Sequence, residues 1–505
     1  MFHFWPTKEF ILLGQSPLDM MPKELDSSSS FTYLSVFSGG GIGDAGIHFG
    51  CKVPILSACE LVPVRAEMLR TNFQEAEIYT GSIYDHMSSI VEDTAKKLSG
   101  KSPWLVVLSP PCQGMSTNGA GKLMKSIRQN KQFPSDERNQ LIIPGVELIQ
   151  DISPNWFILE NVPTMENTII KNPDGEPENI IEFIERTLDK YIIKKKRINF
   201  LDLGVPHHRT RLITIGIQKH LFDKFGFNEN TDFFPAQTHF PKSSDGIGVN
   251  PSHVNLEDVI KDLPFLDAIS KLSDDTVKYH TIPKWNANHY KWMEPTPAGH
   301  SAFENSECLT CNINIYDLEK TEFSNLGHDD LDELVDCPVC RMPLPRPQTE
   351  FIGWECIKCK HKNRERVDVC PCGYTYRGKK MSKQRRLISG FKTSYRRLKW
   401  DRPASTITMN SGTISSDMKG HPEEHRVLSV KEILILSSMH SKIGENAFPW
   451  EKYEFKSTSK SGDSNDVSMG VIREVIGESI PPLAAHKIVS RLIELDIRTL
   501  PNSNE

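Results

Sequence analysis

The chain lacks a membrane span. A helix across a bilayer needs about 20 consecutive apolar residues, and no such run occurs in its 505 residues. Its opening stretch, MFHFWPTKEFILLGQ, has neither the basic start nor the long apolar core expected of a secretory leader. The expectation is an intracellular protein, cytoplasmic in a bacterium or archaeon. Its 11 cysteines are then not material for disulfides. An excess of positive charge is missing too. With 60 Lys and Arg against 65 Asp and Glu the formal charge is -5, so a nucleic-acid partner has to be argued from local patches. Hydrophobic residues at 38% leave enough apolar material for a packed core, and the length suits two to three domains.

What the chain does have is organised around Trp104–Ser116, which reads WLVVLSPPCQGMS. Trp104–Leu108 is wholly apolar, as in a strand buried on both faces of a parallel sheet. Pro110 and Pro111 end it, since proline cannot donate to a sheet ladder. Cys112 therefore stands just past the carboxyl end of a central strand, where open α/β sheets bind ligands. For an isolated residue a buried structural cysteine is the plainer reading. The rest of the sequence reverses it.

Phe31–Phe37 is a predicted strand that runs straight into SGGGIGDAG. Gly39, Gly41, Gly43 and Gly46 let a backbone approach a ligand closely. A second apolar run, Val53–Ala58, ends at Cys59 and Glu60. Glycines followed by an acid after the next strand fit the dinucleotide fingerprint, which leaves NAD and S-adenosylmethionine both open. A short strand near Ile78 precedes Gly81-Ser82-Ile83. The long segment 117–134 carries Lys122, Lys125, Arg128 and Lys131, which suit phosphate; a solvated loop is the alternative. A helix opens near Asp136, its candidate cap. Trp156–Leu159 is another apolar strand, and it delivers Glu160-Asn161-Val162-Pro163. A carboxylate is rarely buried unpaired, so Glu160 reads as functional. Arg209 and Arg211 then precede the predicted strand Leu212–Ile217, and their spacing of two puts them on one face. The glycines, Glu60, Cys112 and Glu160 thus converge on one sheet edge.

The order of these pieces resembles the cytosine-5 DNA methyltransferases. Phe37-Ser-Gly39-Gly-Gly41 is similar to the family's first motif, Pro111-Cys112-Gln113 to the catalytic motif, and Glu160-Asn161-Val162 to the next. Asp136–Leu141 fits between those two. His207-x-Arg209-x-Arg211 follows, then Tyr395–Leu398 with Arg402–Thr408, and last Gly477–Pro482. The likeness covers Thr32–Ile217 and Tyr395–Leu492. Three positions depart from the pattern: Ser82 replaces an acid, His207 a glutamine and Glu478 an asparagine. The first and third touch cofactor binding.

The resemblance implies an α/β fold. It would hold a Rossmann-like S-adenosylmethionine-dependent methyltransferase domain with a mostly parallel sheet, plus a smaller target-recognition domain. The implied divisions are an extension over 1–30, a catalytic domain over 31–225, a target-recognition region over 226–400, and late motifs with a returning final helix over 401–505. Cofactor binding would fall to Phe37, Gly39, Gly41, Glu60, Leu61, Ser82, Ile83, Pro111, Leu141, Glu478 and Ser479. Catalysis would fall to Cys112, Glu160, Arg209 and Arg211. The Cys112 thiolate would add to cytosine C6 and make C5 reactive. Glu160 would protonate N3, and Arg209 would hold O2, with Arg211 on a nearby group or the Cys112 loop. The target base would have to leave the duplex stack. DNA is the implied partner, read sequence-specifically by a monomer within a restriction-modification system, and a cognate restriction endonuclease is a candidate partner.

The region from Ile217 to about Lys392 lies outside the resemblance. Eight cysteines fall there, as Cys308-x-x-Cys311, Cys337-x-x-Cys340, Cys356-x-x-Cys359 and Cys370-x-Cys372. Such pairs in an intracellular chain read as tetrahedral zinc ligands, and eight fill two structural sites over 308–372. Sequential grouping is the simplest arrangement, with an interleaved one still open. From Tyr374 to Arg402 the sequence then holds eleven Lys or Arg and one acid. Phosphate contact is expected there from Arg385, Arg386, Arg396 and Arg397, and nearer the cysteine from Ser116, Lys122 and Lys125. Three rival readings remain at this stage. One is a tRNA cytosine-5 methyltransferase of the same fold, against which the long zinc insert argues. The others are an NAD-dependent oxidoreductase and a zinc DNA-binding protein without chemistry.

Overall fold

The computed structural model describes residues 31–111, 137–241, 251–305, 308, 310–313, 336–342, 344, 353–364, 369–375, 394–416, 418–458 and 464–497. Cys112, Ser116, Lys122, Lys125, Asp136, Arg385 and Arg386 lie outside the described residues, as does the extension 1–30.

Seven strands form one sheet: β1 Tyr33–Val36, β2 Ile55–Glu60, β3 Glu77–Thr80, β4 Leu105–Leu108, β5 Trp156–Asn161, β6 Tyr191–Asn199 and β7 Thr210–Gln218. Their order is β3-β2-β1-β4-β5-β7-β6. The first five run parallel, and β7 is antiparallel to both neighbours. All four residues of β1 and of β4, and all six of β5, are buried, as their continuous apolar runs require. The β5 ladder continues through Glu160 and Asn161, two residues beyond the apolar run.

β6 is an addition to the sequence reading. Lys194, Lys195, Lys196 and Arg197 hide its apolar signal, yet a charged strand suits the sheet edge it occupies. Lys194 reaches over the Phe233 ring and Lys196 over that of Phe234, so their stems cover aromatic surface. Outside this sheet, Lys456–Thr458 and Ser464–Asp466 pair as antiparallel strands.

Helices α1 Pro63–Asn72, α2 Ile83–Lys97, α3 Ile142–Ile152 and α4 Ile180–Thr187 connect the strands. Ile83 and Ile90 of α2, Val146 and Ile149 of α3, and Phe183 and Ile184 of α4 pack with Leu34, Val106 and Phe157 in one core. Two late helices, α5 Met469–Glu478 and α6 Pro482–Ile497, complete this unit. α6 docks on the glycine-rich segment after β1. A Cβ built on Gly46 would lie 2.1 Å from the Pro482 carbonyl oxygen, so only glycine fits there. At the other end of α6, the Asp496 carboxyl takes the Trp104 indole N–H at 2.5 Å and the Trp156 indole N–H at 3.0 Å. No helix among the described residues is long and apolar enough to cross a membrane.

The chain divides into two compact units. The sheet unit takes the chain up to Leu263, with Asp401–Met409 and everything from Val430 on. The second takes Pro264–Trp400 and Asn410–Ser429. This division differs from the sequence expectation at two places. Residues 226–263 go with the sheet, where Phe227 and Phe233 pack against Trp156. Asn410–Ser429 go with the second unit, whose core joins Leu266, Ala268, Trp285, Met293, Tyr395, Ile414 and Val427.

Asp496→Ala should destabilise the sheet unit by roughly 2–4 kcal/mol, because two buried indole N–H groups lose their acceptor. Burial pushes the Asp496 carboxyl from 3.8 up to about 6, against the two indole bonds that lower it. Its contribution is therefore full below pH 3.8 and is lost as pH rises through about 6. Urea melts followed by far-UV circular dichroism should show a penalty that shrinks between about pH 4 and about pH 7. A penalty that grows with pH would contradict this.

Candidate active site and metal centres

The register places the predicted pieces along one sheet edge. Val36 pairs with Cys59 and with Leu108, Glu60 with Thr80, and Leu108 with Leu159. Strands β1 to β5 therefore end together. β7 runs the opposite way, so Thr210 and Arg211 enter the sheet where Glu160 and Asn161 leave it. The order reverses direction between β1 and β4, which makes the crevice past those strands the expected ligand position. The loop of Phe37 and the loop of Pro111 flank it.

On the β1 side Phe37 (φ 58) and Gly39 (φ 57) turn the chain left-handed. No atom of the described residues lies within 4 Å of a Cβ built on Gly39, so among them the space beside it is open. Glu60 is almost wholly buried. Its carboxylate takes the Gly39 N–H at 2.8 Å through one oxygen and the Val62 N–H at 2.8 Å through the other. Burial raises this carboxyl above its usual range; the Val62 amide, the Arg65 charge and the Gly39 amide pull it back, and Glu478 pushes the other way. Leu61 beside it is 64% exposed, an apolar side chain presented to solvent. An adenosine fits these features: open space at a glycine, an acceptor for ribose hydroxyls and an apolar face for a base.

Other predicted cofactor residues are placed more plainly. Gly41 (φ 76) precedes the helical turn Ile42–Ala45. Ser82 precedes α2 without a side-chain cap bond, and Ile83 points into the core. Leu141 closes a short 3-10 turn before α3. Glu478 ends α5, and the Ser479 hydroxyl donates back to the Val475 carbonyl at 2.6 Å. The Glu478 carboxylate pairs with Arg65 at 2.7 Å, and Glu474 pairs with the same guanidinium at 2.7 Å. Arg65 gave no local sequence signal; only the approach of α1 and α5 reveals it.

Glu160 is buried at the end of β5, and its Oε1 lies 2.7 Å from Arg211 Nε. Asn161, on the opposite face, donates to the Pro110 carbonyl at 3.2 Å and so holds the backbone two residues before Cys112. Sequence reasoning quoted Asn161 only as part of a motif; its position next to Glu160 was the available signal.

The two arginines do not share a role. Arg209 lies before β7 begins at Thr210, so strand alternation does not reach it. It is 2% exposed and donates to the carbonyls of Ile407 at 3.1 Å, Gly477 at 3.0 Å and Glu478 at 2.9 Å. The expectation that Arg209 holds the base is therefore corrected: its guanidinium is occupied by backbone at the end of α5. Arg211 is the arginine beside Glu160.

The eight cysteines form two sets. Cys308, Cys311, Cys337 and Cys340 have their sulfurs within 4.8 Å of one another, and so do Cys356, Cys359, Cys370 and Cys372. The grouping is sequential. Tetrahedral zinc with Zn–S near 2.3 Å would set sulfurs roughly 3.8 Å apart. The closest pairs here lie at 3.2 to 3.6 Å, and all eight thiols are free of disulfides. The donor sets fit two structural zinc ions, four thiolates each, with no coordination position left for chemistry.

One predicted nucleic-acid contact is overturned. Arg397 is 2% exposed, and its guanidinium donates to the carbonyls of His421, Glu424 and Met293. It holds the second unit together instead of facing phosphate. Arg396 is half-buried and donates to the Gly299 carbonyl at 2.8 Å.

A sheet ordered β3-β2-β1-β4-β5-β7-β6, with Glu60 and Glu160 at its carboxyl edge, fits one class: a methyltransferase of Rossmann-like fold. The profile of the C-5 cytosine-specific DNA methylases matches residues 31–494, and the chain belongs to that family. It is a DNA (cytosine-5-)-methyltransferase, which removes the oxidoreductase reading. Type II methyltransferase M1.HgaI of Avibacterium volantium is 25% identical over 473 residues, 91% of this chain and 97% of its own. Type II methyltransferase M1.HphI of Haemophilus parahaemolyticus is 28% identical over 230 residues, 45% of this chain and 57% of its own. Among solved structures the S. pombe Dnmt2 methyltransferase aligns over 94% of this chain and 100% of its own, at 14% identity and a TM-score of 0.42.

Arg209→Met should cost on the order of 3 kcal/mol in stability, since charge-assisted bonds to three carbonyls vanish. Arg211→Lys keeps a cation beside the buried Glu160, so it should leave the melt nearly unchanged and lower kcat on the order of 10²-fold, by releasing the fixed guanidinium–carboxylate geometry. Equal effects of the two on the melting curve would refute this division of roles. For the cysteines, elemental analysis should find two zinc ions per chain. Chelation should unfold the 308–372 modules and leave S-adenosylmethionine binding to the sheet unit intact. Fewer than one bound zinc per chain would count against the modules.

Proposed function

We propose that this enzyme methylates C5 of cytosine within a specific DNA sequence, through a covalent bond between Cys112 and C6 of a flipped-out base. The observation that carries the reading is the Glu160–Arg211 pair at the carboxyl edge of the sheet, with Asn161 holding the Pro110 carbonyl just before Cys112. An acid and the approach to the nucleophile thus share one edge.

In this reading the Cys112 thiolate forms a bond to C6, and the C5–C6 π electrons move toward the ring carbonyl and N3. Glu160 delivers a proton to N3, so the charge does not build up. Arg211 keeps the Glu160 carboxyl turned toward the base and donates to the neighbouring ring oxygen. S-adenosylmethionine, held by Gly39, Glu60 and Leu61, supplies the methyl group. C5 takes that methyl, a base removes the C5 proton, and the released electron pair expels the thiolate. None of this reaches a stacked base, so the nucleotide has to leave the duplex. Arg209 is a positioning residue: it fixes the end of α5, next to Glu478.

The second unit, with its zinc modules, is assigned to target recognition. M1.HgaI and M1.HphI are named as Type II methyltransferases, and we place this enzyme in the same kind of restriction-modification system, acting on intracellular DNA beside a cognate endonuclease.

Duplexes carrying 5-fluorocytosine at the target should trap the wild-type enzyme as a covalent complex, because no C5 proton can then be removed. Cys112→Ser should bind DNA but give no adduct. Glu160→Gln should slow methyl transfer on the order of 10²–10⁴-fold. An adduct with Cys112→Ser, or normal turnover by Glu160→Gln, would overturn the assignment.

A further inference from the structure

We propose that the knuckle Ile357–Lys360 of the second zinc module docks on duplex DNA, with Lys358 and Lys360 on backbone phosphates and Ile357 against the groove. The inference rests on reading the chain as a DNA methyltransferase and its cysteine sets as zinc ligands. It names a surface for the target-recognition unit where Arg397, the sequence candidate, is buried.

Three observations carry it. The first is exposure. Ile357 is 72% exposed, the highest value among the exposed large hydrophobic side chains of the described residues. Lys358, Lys360 and His361 around it are exposed as well. A lone exposed isoleucine needs no explanation, but this one sits at the tip of a closed turn. The Cys356 N–H donates to the His361 carbonyl and the Lys360 N–H to the Cys356 carbonyl, both at 2.8 Å. The tip is thus presented by a fixed backbone, which a zinc ion on Cys356 and Cys359 would clamp further.

The second is the residue chosen at the strained position. Each knuckle turns left-handed at the residue after its second cysteine: Asn312 (φ 57), Arg341 (φ 60), Lys360 (φ 62) and Gly373 (φ 79). Glycine and asparagine are the ordinary occupants of that conformation. Two of the four positions instead hold a cation against local preference. In the first module Arg341 likewise lies between the exposed Val339 and Met342.

The third is charge. Ile357–Arg364 contains four Lys or Arg and no acid, in a chain whose formal charge is -5. An apolar tip with the exposed Lys358 and Lys360 beside it suits a polyanion with a groove. An apolar protein surface would strip water from the lysines without pairing them.

The test uses the full-length, zinc-loaded protein and a fluorescein-labelled mixed-sequence duplex, titrated by anisotropy from about 50 to about 200 mM salt. Lys360→Gly removes the charge and installs the residue the backbone prefers, so zinc content and folding hold. Each of Lys358→Gln and Lys360→Gly should lower the slope of log K against log salt by about 0.9, and the double variant by about 1.8. Ile357→Ser should weaken binding several-fold without moving the slope. S-adenosylmethionine affinity should stay at the wild-type value throughout. A double variant with the wild-type slope and affinity, fully zinc-loaded, would overturn this inference alone and point to a protein partner for the knuckle. A wild-type enzyme that fails to bind the duplex would sink the DNA reading, and the inference with it.

Discussion

A buried guanidinium joins the late part of this chain to the early part. Arg209 comes from the segment leading into β7, and the carbonyls it holds belong to residues roughly 200 and 270 positions further on. The geometry suits both partners. The last carbonyls of a helix have no intrahelical donor, and the end of α5 carries the negative pole of its dipole. A cation placed there is stabilised without a carboxylate. The late segment around it is stitched in as well: the His208 amide donates to the Ala404 carbonyl at 2.9 Å, and the Ala404 amide to the Pro206 carbonyl at 3.1 Å. The edge that carries Glu160 and Arg211 is thereby closed by residues from three distant parts of the sequence.

The same constraint bears on the departures from the family pattern. Glu478 stands where an asparagine is usual, and this second carboxylate raises the cost of ionising Glu60. The structure supplies a counter-charge. Arg65 lies within 2.7 Å of both Glu478 and Glu474, which ties α1 to α5 near Glu60. A substitution that looks unfavourable in the motif is thus answered by a residue outside it. Ser82 has no comparable compensation among the described contacts, and it makes no cap bond to α2.

The parallel strands were legible in the sequence because strands buried on both faces must be apolar along their whole length. That left little ambiguity over β1, β2, β4 and β5. β6 was not legible, because four consecutive cations break its pattern and only its edge position makes them tolerable. The glycine loop, Glu60 and Glu160 could be placed from their order relative to strands. The division of labour between Arg209 and Arg211 could not: spacing by two implies a shared face only inside a strand, and β7 begins between them. Arg397 failed for a related reason. A run of cations in sequence says nothing of which ones fold inward, and this one is buried deeply enough that desolvation lowers its pKa to about 10. Even so lowered, it remains charged at neutral pH and has to be met by carbonyls.

The cysteine pairs were legible for the opposite reason: their meaning lies in covalent chemistry more than in packing. A knuckle needs two thiolates and one left-handed residue, and little else about its sequence is constrained. The described parts of 308–372 bear this out, since the first cysteine of each pair is buried while the residues between the pair are largely exposed. A left-handed conformation costs a residue with a Cβ on the order of 1 kcal/mol. Structural zinc contributes roughly ten times that to folding, so the metal can hold Arg341 and Lys360 where an ordinary turn would select glycine. The positions a metal fixes are therefore also the positions it frees, and side chains there answer to what the surface meets more than to what the fold needs.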